Sequence, residues 1–454
     1  MKLSSVNPAT GETLQVHETW PPERLHSVLD AIPSAAEEWA AVPLSEKAGL
    51  MRAAGRILAG RREEFARLMT LEMGKLNGEA RAEVDKCVWG CDYYADQSAR
   101  FLADEVIETD AGRSYVSYLP LGTILVVMPW NFPFWQVCRA AVPILMAGNT
   151  VLLKHASNVT GCALALEEVF HSAGFPEPAF RTLLISADQV ADVVADARVQ
   201  GVTLTGSERA GRELASHAGE HLKKCVLELG GADAFIVLED ADLDWTVSQA
   251  VASRFQNAGQ SCIAAKRLIV VDAIADAFLG RFEASVATLR SGDPLDEKTT
   301  LAPLARADLR DALHRQVCET IAAGAIAMTG CAPLEGPGNF YAPSILDHVL
   351  PGMPAFDDEL FGPVAAVIRA RGEAEAVQLA NRSRYGLGGS VWTSDSQRGE
   401  RIARQLECGP TFVNGLVKSD PRLPFGGVKA SGYGRELSYH GMREFVNVKS
   451  IWIR

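Results

Sequence analysis

Val151-Leu152-Leu153-Lys154 opens the stretch that decides the fold. It reads as a short apolar strand that ends on a charged residue. Thr160 to Ala173 follows at helical spacing, then Thr182 to Ile185 as a strand and Gln189 to Ala197 as a helix. Val202 to Thr205 is the next strand, and Ser207 to Ala218 the next helix. Short apolar strands that alternate with amphipathic helices form a parallel sheet covered on both faces. Ligands gather at the carboxyl ends of the strands in such sheets. Lys154 and Gly206 both stand at such ends.

Toward the C-terminus a second alternating series begins near Ala234. It runs through Phe235 to Leu238, Arg267 to Val271, Ala325 to Thr329, Val364 to Ile368, Gly389 to Thr393 and Phe412 to Asn414. This series reads as a second α/β domain, and it carries Cys262. Toward the N-terminus, Pro22 to Val42 and Ser45 to Leu102 read as helices, with Leu50, Ala53, Ala54, Ile57 and Leu58 on one face. Tyr115 to Leu119 and Ile124 to Val127 read as strands. Phe445 to Ile453 alternates apolar and polar residues, as a strand that needs an edge to pair with. A chain of 454 residues is too long for one core and should divide into two or three domains.

The bulk numbers exclude several classes of function. A net charge of −12 with no basic run argues against nucleic acid, whose phosphates demand clustered Lys and Arg. Nine scattered cysteines are too few for a disulfide scaffold. Cys87 and Cys91 lack a second pair at ligand spacing, so no metal site is expected. Reduced thiols fit a cytoplasmic protein. The first residues lack the apolar core of a signal peptide. Leu121 to Trp135 is broken by Pro129 and Pro133 and falls short of a bilayer span, so no membrane association is expected.

Chemistry concentrates in three stretches. Gln256-Asn257-Ala258-Gly259-Gln260-Ser261-Cys262 sets a cysteine after a glycine-containing turn, a candidate nucleophile more than half of a disulfide. Most lone cysteines are merely buried, but two further stretches supply what a nucleophile needs. Pro129-Trp130-Asn131-Phe132-Pro133 holds a side-chain amide between two prolines. Glu228-Leu229-Gly230-Gly231 puts a carboxylate beside two glycines that permit close backbone approach. No Gly-x-Gly-x-x-Gly fingerprint follows a strand. Thr205-Gly206-Ser207 instead opens a helix, either as a phosphate site or as simple capping.

Together these stretches resemble the signature of the NAD(P)-dependent aldehyde dehydrogenase superfamily, from Asn7-Pro8-Ala9-Thr10-Gly11 to the C-terminal strand. The resemblance implies an α/β fold with a cofactor-binding domain over residues 1–230, interrupted near 103–120 by part of an oligomerisation element. It further implies a catalytic domain over 231–436 and a C-terminal oligomerisation strand within 437–454, which pairs across a subunit interface to give homodimers or homotetramers. Cys262 would attack the aldehyde as a thiolate. Asn131 and the Cys262 N–H would hold the oxyanion, and Glu228 would activate the hydrolytic water. A redox cofactor is required, since no side chain accepts hydride. The resemblance assigns Lys154 to the adenosine ribose, Gly206 and Ser207 to the pyrophosphate, and Glu359 to the nicotinamide ribose, with Trp130 and Phe361 beside the cofactor. Pro424 to Lys429 and Ser431 to Glu436 would line the catalytic funnel.

Within the superfamily, Leu152 to Asn158 and Ser419-Asp420-Pro421 look most like the shorter bacterial succinate-semialdehyde dehydrogenases. Members acting on that substrate carry an arginine eight residues after the asparagine, here Arg139, suited to bidentate carboxylate binding. The alternative for Arg139 is a side chain that snorkels to the surface. Animal relatives have a second arginine where this chain has Gln256, so a second anchor would be Ser419 or Arg422. Ser157 stands three residues after Lys154, where NAD-preferring relatives carry a glutamate. A neutral serine there favours NADP, with NAD as a weaker alternative, unless Ser157 only caps the next helix. The expected activity is oxidation of a short carboxylate-bearing aldehyde. Broad or neutral-aldehyde dehydrogenases, coenzyme A-acylating relatives and non-catalytic members of the fold are the competing readings.

Overall fold

A computed structural model describes residues 2–454. Four helices form the front end: α1 (Pro22–Ala41), α2 (Leu44–Gly60), α3 (Arg62–Met73) and α4 (Asn77–Phe101). They cover a six-stranded sheet whose order is Gly432–Tyr433, Lys224–Glu228, Val199–Thr205, Thr123–Met128, Thr150–His155 and Phe180–Thr182. All neighbours in it are parallel except the first pair. The crossovers are α5 (Trp135–Met146), α6 (Thr160–Ser172), α7 (Val190–Ala195) and α8 (Glu208–Glu220).

Alternation along Ile124 to Val127 explains why that run is apolar throughout. Ile124 and Val126 pack into the core shared with α2 to α6, whereas Leu125 points to the opposite core with Leu25, Leu29 and Ile32 of α1. With both faces buried, no polar position is left.

Seven strands make the second sheet, in the order Ile326–Thr329, Ser344–Asp347, Val364–Ala370, Ala265–Val271, Asp233–Val237, Gly389–Trp392 and Thr411–Val413. Only the first pair is antiparallel. Helix α9 (Leu243–Phe255) leads out of Asp233–Val237 toward the cysteine loop. A third sheet pairs Val446–Ile453 with Arg113–Pro120, which in turn pairs with Glu105–Val106. Among the described residues no helix is long and apolar enough to cross a membrane.

Several elements depart from the sequence reading, which marked no strand at Lys224–Glu228, Gly432–Tyr433 or Glu105–Val106, nor in the N-terminal hairpin of Lys2–Val6 and Thr13–Glu18. The strand expected over Thr182 to Ile185 is Phe180–Thr182, because the Leu184 carbonyl accepts from Trp20 N–H (2.7 Å) and the chain turns away from the sheet edge. Ser344–Asp347 is a strand that its four-residue length concealed.

One buried ion pair ties the front end to α5. Lys75 pairs with Glu83, their side chains 0% and 2% exposed. Glu83 Oε1 also accepts from Phe134 N–H and Trp135 N–H, both at 2.9 Å, at the positive end of α5. Removing one member would strand the other charge. Glu83→Ala should therefore destabilise the protein by about 3–5 kcal/mol. Lys75→Met with Glu83→Gln should recover much of that loss, as urea denaturation of both variants will read.

Candidate active site

The cysteine loop is held in a conformation that few residues adopt. Asn257, Ala258 and Gly259 all have left-handed φ, at 52°, 53° and 74°. A Cβ on Gly259 would lie 2.2 Å from the Gly362 carbonyl oxygen, so only glycine fits. Arg254, at the end of α9 and fully buried, donates through Nη2 to Gly259 O (2.8 Å) and Gly362 O (2.7 Å). Asn257 N–H donates to Glu79 Oε1 (2.9 Å), and Ala305 N–H to Gln260 Oε1 (2.8 Å). The loop is clamped from three sides.

The asparagine loop is fixed just as firmly. Neutral His155 accepts at Nδ1 from Ala156 N–H (2.9 Å) and so donates through Nε2 to Pro133 O (2.9 Å). Burial pulls its pKa down to about 4, which keeps it neutral. Asn131 Nδ2 donates to Gln260 O (3.1 Å), and Asn257 Nδ2 to Asn131 O (2.8 Å). The two loops are thereby bonded to each other.

Cys262 stands between two cavities. One, of about 250 Å³, is walled by Trp130, Asn131, Gly206, Ser207, Glu359 and Phe361 among others. The other, of about 190 Å³, includes Lys86, Trp135, Arg139, Gln256, Ser419 and Phe425 in its lining. Cys262 and Gln136 belong to both linings. In the first cavity Trp130 and Phe361 meet edge to face, centroids 5.8 Å apart. Ser207 caps α8 by accepting from Ala210 N–H (3.3 Å) and lines the cavity as well. Glycine is required on this wall. A Cβ on Gly230 would meet Glu359 Oε2 at 2.4 Å, and one on Gly231 would meet Cys262 O at 2.8 Å.

Lys266, which the sequence reading passed over, joins these parts. Its buried ammonium donates to Ser261 O (2.7 Å) and Cys262 O (2.6 Å) and pairs with Glu359 Oε1 (3.1 Å). Burial pushes the Cys262 thiol up to about 12, opposed by Arg139 and Lys266. The resting sulfur is a thiol.

Three expected residues are not brought to the walls of either cavity. Glu228 lies against Gly426, whose Cβ would meet Glu228 Oε1 at 2.6 Å. Its buried oxygens have no hydrogen-bond partner, and burial, with nearby Glu436 next, holds its carboxyl well above the usual range. Lys154 donates to His155 O (2.9 Å), and burial lowers its pKa. Ser157 is exposed, and its side chain caps neither the short 3-10 turn it begins nor α6.

In the second cavity Arg139 does not snorkel; it is 2% exposed. Its Nε pairs with Glu436, its Nη2 donates to Thr205 Oγ1 (3.2 Å), and its guanidinium lies 4.7 Å from the Phe425 ring centre. Ser419 Oγ accepts from Lys86 Nζ and Trp135 Nε1, each at 2.8 Å. Arg422, the alternative anchor, is turned outward, paired with Asp420 (2.7 Å) and stacked over Trp89. Lys86 carried no sequence signal beyond one basic residue on a long helix.

The arrangement sets a cysteine thiol beside an amide donor, between a cleft at a strand end with a helix N-terminus and a smaller cleft lined with cations. A family model described as the aldehyde dehydrogenase family matches residues 1–451. A probable NADP(+) succinate-semialdehyde dehydrogenase of Synechocystis is 49% identical over 453 residues, 100% of each chain. The NAD(P)+ succinate semialdehyde dehydrogenase Sad of Escherichia coli is 47% identical over 99% of this chain and 97% of its own. Among solved structures, the Streptococcus pyogenes succinic semialdehyde dehydrogenase in complex with NADP+ aligns with a TM-score of 0.97 and 40% identity, covering 99% of each chain.

A thiol raised by burial makes a direct prediction. Alkylation of Cys262 by iodoacetamide, followed by peptide mass spectrometry, should accelerate about tenfold per pH unit from about pH 7 to about pH 10. A plateau near neutrality would mean that the sulfur is already a thiolate at rest.

Proposed function

This chain belongs to the aldehyde dehydrogenase family, and from that premise we propose that it oxidises succinate semialdehyde to the acid, with NADP as preferred cofactor and NAD as the weaker one. The observation that carries the reading is Cys262 between a cavity that reaches the Gly206-Ser207 turn and a smaller one lined in part by Lys86, Arg139 and Ser419. Identities of 45–49% to enzymes named for that substrate support it.

The residues present fit a dinucleotide. Gly230 leaves room that a Cβ would fill, and Gly206-Ser207 opens α8. Trp130, Gly206, Ser207, Glu359 and Phe361 would hold the cofactor within the cavity, and Lys154 and Ser157 its adenosine end. The bound nicotinamide supplies the hydride acceptor that the conversion of thiohemiacetal to thioester needs. Cys262 gives its proton to solvent and attacks the carbonyl carbon, whose π electron pair moves onto the oxygen. Asn131 Nδ2, with one N–H given to Gln260 O (3.1 Å), has a second for the oxyanion, beside the Cys262 N–H. Glu228 turns from its place against Gly426 toward the thioester and takes a proton from the attacking water; burial makes its carboxylate more basic than an exposed one.

In this reading residues 1–230 form the cofactor-binding domain, residues 231–436 the catalytic domain, and the terminal strand an oligomerisation element. Val446–Ile453 exposes Val448, Trp452 and Ile453 on the third sheet, which supports a second copy of this chain as the partner in a homodimer or homotetramer. Nine unpaired cysteines fit the cytoplasm.

Cys262→Ala should abolish oxidation while cofactor binding remains measurable, and near-normal turnover would end the mechanism. Glu228→Gln should give a burst of reduced cofactor followed by slow turnover, as rapid-mixing absorbance will show. Wild type should favour NADP in kcat/KM, and Ser157→Glu should move preference toward NAD, mainly by weakening NADP. A ratio untouched by that swap would remove Ser157 from cofactor choice.

A further inference from the structure

We propose that Cys318 is a second reactive thiol of this protein, a modification site at which hydrogen peroxide oxidises the sulfur and Cys331 closes the product to a disulfide. Cys318 stands near the end of the helix Ala307–Ala322 and borders neither of the cavities beside Cys262. The inference does not depend on which aldehyde the enzyme takes.

One turn of that helix aims an imidazole at the sulfur. His314 and Cys318 are four residues apart and share a face, with Nε2 3.5 Å from Sγ. His314 Nδ1 meets the Tyr341 hydroxyl at 3.2 Å. Tyr341 is buried, and burial holds its phenol protonated. A buried O–H needs an acceptor, and this one has His314 Nδ1. An accepting Nδ1 leaves the ring's proton on Nε2, where it faces the sulfur. The thiolate, which is the reacting form, accepts that N–H as soon as it is made. Exposure singles out the same residue: of the nine cysteines, only Cys318 is exposed, whereas burial raises the thiols of Cys225, Cys262 and Cys408. A small oxidant in solution therefore meets this sulfur first.

The resolving thiol belongs to the facing turn. Cys331 follows the strand Ile326–Thr329, with its N–H donating to Ser344 Oγ (2.7 Å) and its S–H to Thr329 O (3.3 Å). Pro333 pairs antiparallel with Tyr341, and Ala342 N–H donates to Ala332 O (3.0 Å), so the turn runs beside the phenol that orients His314. Burial and then both thiols raise Tyr341; burial, opposed by Ser344, raises Cys331, and Cys318 adds to that rise. One phenol thus has both sulfurs as neighbours. Ile326–Thr329 is the last strand of its sheet and largely exposed, so the turn after it has room to close on the helix.

The Cys318 thiolate attacks one oxygen of the peroxide. The S–O bond forms, the O–O bond breaks, and the departing hydroxide takes up the proton that the thiol released, which gives a sulfenic acid and water. The Cys331 sulfur, after losing its proton, attacks the Cys318 sulfur. The S–S bond forms, the S–O bond breaks, and hydroxide leaves with that proton as a second water. Two thiols lose two electrons, and one peroxide gains them.

The test treats the full chain with hydrogen peroxide as wild type, Cys318→Ser, Cys331→Ser and His314→Ala, with and without dimedone to trap sulfenic acid. Peptide mass spectrometry without reduction reads each cysteine. Wild type should yield a linked Cys318–Cys331 peptide that dithiothreitol releases, before Cys262 is modified. Cys331→Ser should build up the dimedone adduct on Cys318. Cys318→Ser should give no linked peptide, while its aldehyde turnover stays at the wild-type rate. His314→Ala should slow Cys318 oxidation by about tenfold, the loss of one hydrogen bond to a charged group, again with aldehyde turnover unchanged. A linked peptide that never forms in wild type, modification of Cys262 ahead of Cys318, or an oxidation rate untouched in His314→Ala would each overturn the proposal. The first two readings use wild type alone, so they decide the matter even where a variant fails to fold.

Discussion

Lys266 is the interaction on which the site depends. An ammonium has three N–H groups, and here two go to Ser261 and Cys262 carbonyls and the third faces Glu359. With its charge compensated and every donor used, the cation is tolerated at 1% exposure. Glu359 in turn accepts from Gly231 N–H at 3.1 Å. The nucleophile loop, the two-glycine turn and the Glu359 loop are thus one hydrogen-bonded unit. Each is irregular backbone, and none would hold its shape by secondary structure.

Around that unit the two sheets supply rigidity at a distance. Gly432–Tyr433 pairs antiparallel with Leu227 and Glu228, so the chain around residues 424–436 returns to the first sheet after the second is built. The same return brings Glu436 to Arg139 and Gly426 to Glu228. The carboxyl proposed as base is therefore surrounded by groups from two distant parts of the chain. Its raised pKa follows from that enclosure and from a second carboxyl nearby.

Much of this was legible in the sequence because it is local. Strand–helix alternation, the proline-flanked asparagine and the glycine-preceded cysteine are each written within a few residues, and the structure brings Cys262 and Asn131 to one junction. What could not be read is long-range and made of single charged residues. Lys75, Glu83, Lys86, Arg254 and Lys266 sit in helices, strands or turns where such residues are usually solvated, and no spacing marks their burial. Nor could spacing show the turn in which Asp420 captures Arg422 while Ser419 faces the smaller cavity. The resemblance identified the family members' roles but not the cation that meets Ser419.

The shared wall between the two cavities has a pharmacological corollary. Because Cys262 and Gln136 border both spaces, any group attached to the sulfur alters the shape of both at once. A small electrophile entering through the smaller cavity would narrow the larger one as well, the space proposed for the dinucleotide. Covalent inactivation should then be slowed by either ligand alone, so that protection by one of them does not identify the chamber through which the reagent arrived.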